Sequence, residues 1–155
     1  NDDLCARALL EAEAHPNKAQ DEGFTALMNC WQAGHDLCAR ALLEAEANVD
    51  AVENTGQTAL MSACLSGHEH CARALIEKGA ALEKVNKDSF TALMLACQNG
   101  HEQCARAILD ASSTIESKDI RLAKTYGWKI QKVFAQSLVE KDLKRREKLK
   151  RERDT

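Results

Sequence analysis

The chain has 155 residues, 45% hydrophobic and 4% aromatic with one proline (Pro16), a balance that suits a single helical domain and speaks against a β-sandwich or barrel. No run of about 18 apolar residues suggests a membrane span, and the acidic start Asn1-Asp2-Asp3 does not read as a signal peptide. The net charge of −3 divides into −7 over residues 1–140 (13 Lys+Arg against 20 Asp+Glu) and +4 over residues 141–155 (8 against 4), an acidic body with a basic tail.

One period organises the chain. Thr-Ala-Leu-Met occurs at 25–28, 58–61 and 91–94, and Gly-His at 34–35, 67–68 and 100–101, each 33 residues apart. Cys-Ala-Arg-Ala occurs at 5–8, 38–41, 71–74 and 104–107 in the same register, and Cys5–Ala14 recurs unchanged as Cys38–Ala47.

The register predicts the following elements in order. Residues 1–21 form a partial leading repeat, holding a second helix and a turn, because Asn1 aligns with Gly34. The expectation is a fragment of a longer protein, since the first helix would otherwise expose an apolar face. Full repeats span 22–54, 55–87 and 88–119. In each, Thr25, Thr58 or Thr91 caps a short first helix that ends at Gly34, Gly67 or Gly100. A second helix follows with Asp36, Glu69 or Glu102 in its first turn, where an acid suits the helix dipole. Its apolar face is read as Leu37, Cys38, Ala41, Leu42 and Ala45. Arg40 with Glu44, and Arg73 with Glu77, fall four apart on the wet face. Residues 120–140 form a degenerate C-terminal cap with Ile130, Val133, Phe134 and Leu138 inward and Lys129, Lys132 and Gln136 outward; residues 141–155 extend it as a charged helix. Polar stretches such as 50–56 project as turns between units. A lone helix pair cannot bury its apolar face, so the units must stack into a solenoid.

Gly56-Gln57-Thr58-Ala59-Leu60-Met61-Ser62-Ala63-Cys64, then Gly67-His68, Leu75-Ile76 and Gly79-Ala80, resembles the ankyrin repeat family over residues 1 to about 119. The resemblance implies an all-α ankyrin-type solenoid with hairpin-like turn tips. Alanine stands where the family has proline, and Met28, Met61 and Met94 where it has the histidine that bonds the threonine hydroxyl. Ser89 replaces the glycine found at Gly23 and Gly56, and Glu46 and Ser112 replace that found at Gly79.

The resemblance also implies partner binding through tips and first helices. At the tips the matching positions are Lys18, Gln20, Asp21 and Phe24, then Val52, Glu53 and Gln57, then Val85, Lys87, Asp88 and Phe90. On the helices they are Trp31 and Gln32, then Ser62, Leu65 and Ser66, then Leu95, Gln98 and Asn99. Trp31 stands where the sister units have Cys64 and Cys97, a slot too tight for an indole unless it leans outward to a partner or covers the truncated end.

Other chemistry is weakly signalled. No Cys-x-x-Cys pair or nucleotide-binding or nucleophile motif occurs, so the expectation is no catalytic site, no metal and no cofactor. The seven cysteines read as buried thiols of an intracellular, reducing compartment; Cys64–Cys71 and Cys97–Cys104 are the pairs to inspect. His68-x-His70-Cys71 points its histidines to different sides of a helix. The tail 144–153 is basic enough for nuclear import, nucleic acid or acidic lipid, with a solvated helix as the simpler reading. The leading expectation is a scaffold holding a basic or amphipathic segment of another protein. Its rivals are a targeting module within a larger kinase or ubiquitin ligase, and cysteine-based metal or redox sensing.

Overall fold

The structure is a computed structural model that describes residues 15–112 and, further on, residues 135, 136, 139–141, 143, 144, 146, 147 and 150–152. Among the described residues, six helices with defined bounds follow in order: α1 Ala26–Ala33, α2 Asp36–Glu44, α3 Ala59–Ser66, α4 Glu69–Glu77, α5 Ala92–Gln98 and α6 Glu102–Ala111. They form three antiparallel pairs, with α1, α3 and α5 in one layer and α2, α4 and α6 in the other. Among the described residues there is no strand, only the antiparallel bridges Ala19–Thr25 and Val52–Thr58 at the turn tips. The expected partial repeat before residue 15 and the cap residues Ile130, Val133, Phe134 and Leu138 lie outside the described residues.

Local chemistry sets the helix ends. The hydroxyl of each capping threonine accepts the third backbone N–H of its helix: Met28 N at 3.4 Å, Met61 N and Met94 N at 3.2 Å. The cap therefore survives the exchange of histidine for methionine, because it is the backbone that donates. α1 and α3 end at Gly34 and Gly67, whose φ values of 73° and 78° are left-handed. Ser89 adopts the same left-handed region, φ 64°, as Gly23 and Gly56, so the third turn keeps its shape at the expense of strain. Glu46 does likewise at φ 57°, whereas Ser112 leaves its helix extended at φ −68°.

The core is a stack of equivalent side chains. Leu27, Leu60 and Leu93 of the first helices line up with Leu42, Leu75 and Ile108 of the second, all buried. Ala39, Ala72 and Ala105 are fully enclosed, and their small size lets successive second helices approach. Two details of the second helices differ from expectation. Leu37 is 62% exposed, because the buried face of α2 is Cys38, Ala39, Ala41, Leu42 and Leu43. Arg73 pairs with Glu69 at 2.9 Å, not with Glu77; an acid four residues before the arginine is the orientation the helix dipole favours.

Arg106, the counterpart of Arg73, reaches the C-terminal helical residues. Its guanidinium donates to Glu140 Oε1 at 3.0 Å and to Gln136 Oε1 at 3.5 Å, and Lys141 Nζ donates to the Ser112 carbonyl at 2.6 Å. Gln136 is exposed, as its outward assignment requires.

Candidate functional site

Each tip is a short hairpin closed by its own backbone. Gln20 N donates to Phe24 O at 2.9 Å, Glu53 N to Gln57 O at 3.1 Å and Asn86 N to Phe90 O at 3.0 Å, one per unit. Side chains at this slot lock two of the turns from within. The Asn86 carbonyl oxygen accepts Asp88 N at 3.1 Å and Phe90 N at 2.8 Å. Glu53 accepts Thr55 N at 2.8 Å, Gln57 N at 2.9 Å and the Thr55 hydroxyl. Burial alone would push the Glu53 carboxyl up. Its bonds to the Thr55 side chain and to the Thr55 and Gln57 amides, with Lys87 nearby, outweigh burial and hold it below the ordinary carboxylate value.

Three kinds of rung tie one unit to the next. Asn54 N donates to Glu22 O at 3.0 Å and Lys87 N to Thr55 O at 2.9 Å, joining tip to tip. Asn17 Oδ1 accepts Asn48 N at 2.6 Å, and Asp50 Oδ1, one period later, accepts Ala81 N at 3.0 Å. At the other end of the first helices, His68 Nε2 meets Gln32 O at 3.3 Å and His101 Nε2 meets Leu65 O at 3.1 Å. The rings sit so close over Gly34 and Gly67 that a Cβ at Gly67 would lie 2.5 Å from His101 Nδ1. His68 is thus an inter-unit strut, while His70 faces solvent.

The expected contact residues separate into two groups. Gln32, Val52, Leu65, Ser66, Val85, Lys87, Asp88, Gln98 and Asn99 are exposed, and Phe24, Gln57 and Phe90 are half-buried. Phe24 and Phe90 pack against the core. Trp31, Glu53, Ser62 and Leu95 are buried at 1%, 7%, 4% and 7% exposure, which withdraws them from the surface. Trp31 enters the core because α1 turns that position inward, as α3 and α5 do Cys64 and Cys97. Among the described residues its indole Nε1 has no hydrogen-bond partner. Ser62 is enclosed between the Thr58 carbonyl, to which it donates at 3.2 Å, and the Gln57 amide, from which it accepts at 3.2 Å. Sequence reasoning missed the Asn17/Asp50 rung; polar residues recurring 33 apart at that slot were the available signal.

The described cysteines, Cys30, Cys38, Cys64, Cys71, Cys97 and Cys104, form no disulfide with one another. Burial and the neighbouring Cys38 thiol push Cys30 up to about 11. Cys71 donates to Asp36 Oδ1 at 2.8 Å, and burial together with that carboxylate pushes it up. A hydrogen bond to Cys104, with burial, pushes Cys64 well up. Cys64 and Cys104 meet across units, a pairing that the within-unit spacing did not suggest. These environments hold Cys30, Cys64 and Cys71 as unreactive thiols at neutral pH. Among the described residues no three His, Cys, Asp or Glu side chains converge as a metal ion requires.

An open cleft of about 730 Å³ at the first tip is lined by His15, Lys18, Asp21 and Glu22 with the neighbouring backbone. The described tail residues Lys144, Arg146, Glu147, Lys150, Arg151 and Glu152 are helical and exposed. No described helix is long and apolar enough to cross a membrane.

Comparison with known families gives two matches. A family model described as "Ankyrin repeats (3 copies)" matches residues 46–119, and one described as "Ankyrin repeat" matches residues 22–54. No curated protein matches the chain.

Proposed function

The chain belongs to the ankyrin repeat family, whose repeats are generally protein–protein interaction modules, and we propose that it holds a segment of another protein against its tips and first helices. The observation carrying this reading is the hydrogen-bonded stack of tips. Backbone and Asn/Asp side-chain rungs join successive tips, while Val52, Val85, Lys87 and Asp88 remain exposed on that frame. A surface already ordered loses little conformational freedom on binding, so more of the contact energy appears as affinity. The contact set is Gln32, Val52, Gln57, Leu65, Ser66, Val85, Lys87, Asp88, Gln98 and Asn99, with Phe24 and Phe90 at its margin. Trp31, Glu53, Ser62 and Leu95 support it from beneath. Cys30, Cys64 and Cys71, whose surroundings favour the protonated thiol, suit a reducing compartment.

Photo-crosslinking tests the reading. A crosslinkable residue is placed at Val52 or Gln98, and in parallel at Leu37 or Glu77 on the second helices. Partner crosslinks are expected from the first pair; crosslinks confined to the second pair would reject the proposal. Glu53 and Trp31 are unsuited to such tests, since replacing either disturbs the scaffold before the surface.

A further inference from the structure

The same pair of bonds joins successive tips twice over. Each tip turns through four residues, 20–23, 53–56 and 86–89, and the fourth N–H closes on the first carbonyl at 2.8, 2.8 and 2.9 Å. The second residue of a turn donates to the third residue's carbonyl in the turn before it: Asn54 N to Glu22 O at 3.0 Å, Lys87 N to Thr55 O at 2.9 Å. Six positions ahead of that donor, a second amide bonds an Asn or Asp side chain of the preceding unit. These bonds run from Asn48 N to Asn17 Oδ1 at 2.6 Å and from Ala81 N to Asp50 Oδ1 at 3.0 Å.

Carried back by one period of 33 residues, those two donors fall on Asp21 and His15. Among the described residues neither amide donates to any group. Both residues line the open cleft of about 730 Å³ at the first tip, with Lys18, Gln20 and Glu22 beside them. The first turn is built like its successors: Gln20 N closes on Phe24 O at 2.9 Å, and Gly23 takes a left-handed φ of 83°, as Gly56 does at 80°. It therefore holds its second N–H along the line of the rungs, as Asn54 and Lys87 hold theirs, and at the first tip that line leads into the cleft. Lys18 N donates to His15 O at 3.1 Å, which holds the residue carrying the other donor. Donors positioned before anything binds spare a ligand the cost of ordering them.

The rungs also show what such donors accept. Each uses an Asn or Asp side-chain oxygen and the carbonyl of the residue five further on, Asn17 with Glu22 and Asp50 with Thr55. We infer that the cleft at the first tip binds a hairpin turn of a second protein that offers this acceptor pair, its Asn or Asp to His15 N–H and its turn carbonyl to Asp21 N–H. The bound turn continues the stack by one tip, end-on, apart from the tip-and-helix surface proposed above. Main-chain bonding supplies affinity and the Asn or Asp supplies selectivity. Lys18, Asp21 and Glu22 around the cleft are of mixed sign, so net charge does not choose the occupant. A second copy of this chain is the poorer fit, because its last turn carries the longer Glu83 where Asn17 and Asp50 stand.

The probe is a synthetic peptide of residues 50–58, the second tip itself, cyclised through a disulfide between added terminal cysteines. It is titrated into the whole chain and followed by amide NMR shifts. The His15 and Asp21 amides are expected to move, and Asp50→Ala in the peptide to weaken binding about three- to tenfold, the loss of one hydrogen bond. Asp21 is the second residue of its turn, where the fixed φ of proline, about −65°, is favoured. Asp21→Pro in the protein therefore deletes the donor while keeping the turn, and is expected to weaken binding to a similar degree. Asp21→Ala keeps the N–H and should still bind. Circular dichroism checks that both variants are folded; should the proline variant not fold, the peptide variant and the shift map decide. Still His15 and Asp21 amides, equal binding by Asp21→Pro, or indifference to Asp50→Ala in the peptide overturns the inference. Shifts at Val52 and Gln98 instead would also overturn it, while leaving the tip-and-helix reading standing. Self-association of the chain that Asp21→Pro abolishes would make a second copy the occupant and overturn it as well.

Discussion

Ser89 shows how a single side chain stores strain that its neighbours avoid. Its φ of 64° lies where Gly23 and Gly56 sit at 83° and 80°, and a residue with a Cβ is disfavoured there. Ser89→Gly is expected to stabilise the protein by about 0.5–1 kcal/mol, read as a higher urea midpoint with unchanged slope. An unchanged or lower midpoint would contradict the strain. Glu53 makes the opposite case, a polar residue that belongs inside. Its folded carboxyl titrates below the ordinary value, so its contribution is fully present above the unfolded carboxyl's titration. That contribution is lost as pH falls through the lower, folded value. The thermal-stability advantage of wild type over Glu53→Gln is therefore expected to shrink between pH 7 and about pH 3. An advantage independent of pH would remove the carboxylate from the account.

Between elements, the decisive contacts are the repeated rungs. A carbonyl can only accept, so His68 and His101 donate through Nε2–H to Gln32 O and Leu65 O. His101→Ala removes one such bond and the ring that covers Gly67, and should destabilise by about 1 kcal/mol or somewhat more. Amide hydrogen exchange should locate the loss, with faster exchange in α5 and α6 than in α1. Uniform acceleration along the array would argue against a local strut. The charged pairs Arg73–Glu69 and Arg106–Asp110 are partly exposed and lie on the opposite layer. As partly exposed pairs they add little to stability.

Taken as a whole, the molecule is a line of units in which each packs on its neighbours. Opening at one place should therefore expose thiols unit by unit. Under native conditions Cys30, half-buried but with its thiol pushed up to about 11, is expected to label slowly with a maleimide, ahead of the buried cysteines only because reagent can reach it. Cys38, Cys64, Cys71, Cys97 and Cys104 should label only when their unit opens. Fast native labelling of Cys64 or Cys97 would show that the core admits reagent and would revive a sensing role for the cysteines.

The period, the threonine caps, the glycine stops and the layering into first and second helices are legible along the chain, because each depends on residues a few positions apart. The same holds for the uncharged first helices, visible in Ala-Leu-Met-Asn-Cys-Trp-Gln-Ala and its two counterparts. Leu37 was also within reach, since its counterparts His70 and Gln103 are polar. Packing between units decided the rest. Trp31 entering the core, Glu53 turning inward, and Cys64 meeting Cys104 depend on the space left by the surrounding turns and helices. The bonds from His101 to the Leu65 carbonyl and from the Ala81 amide to Asp50 join residues 36 and 31 positions apart. A repeat announces that neighbours will stack, but side-chain size and backbone approach at each junction choose which atoms touch.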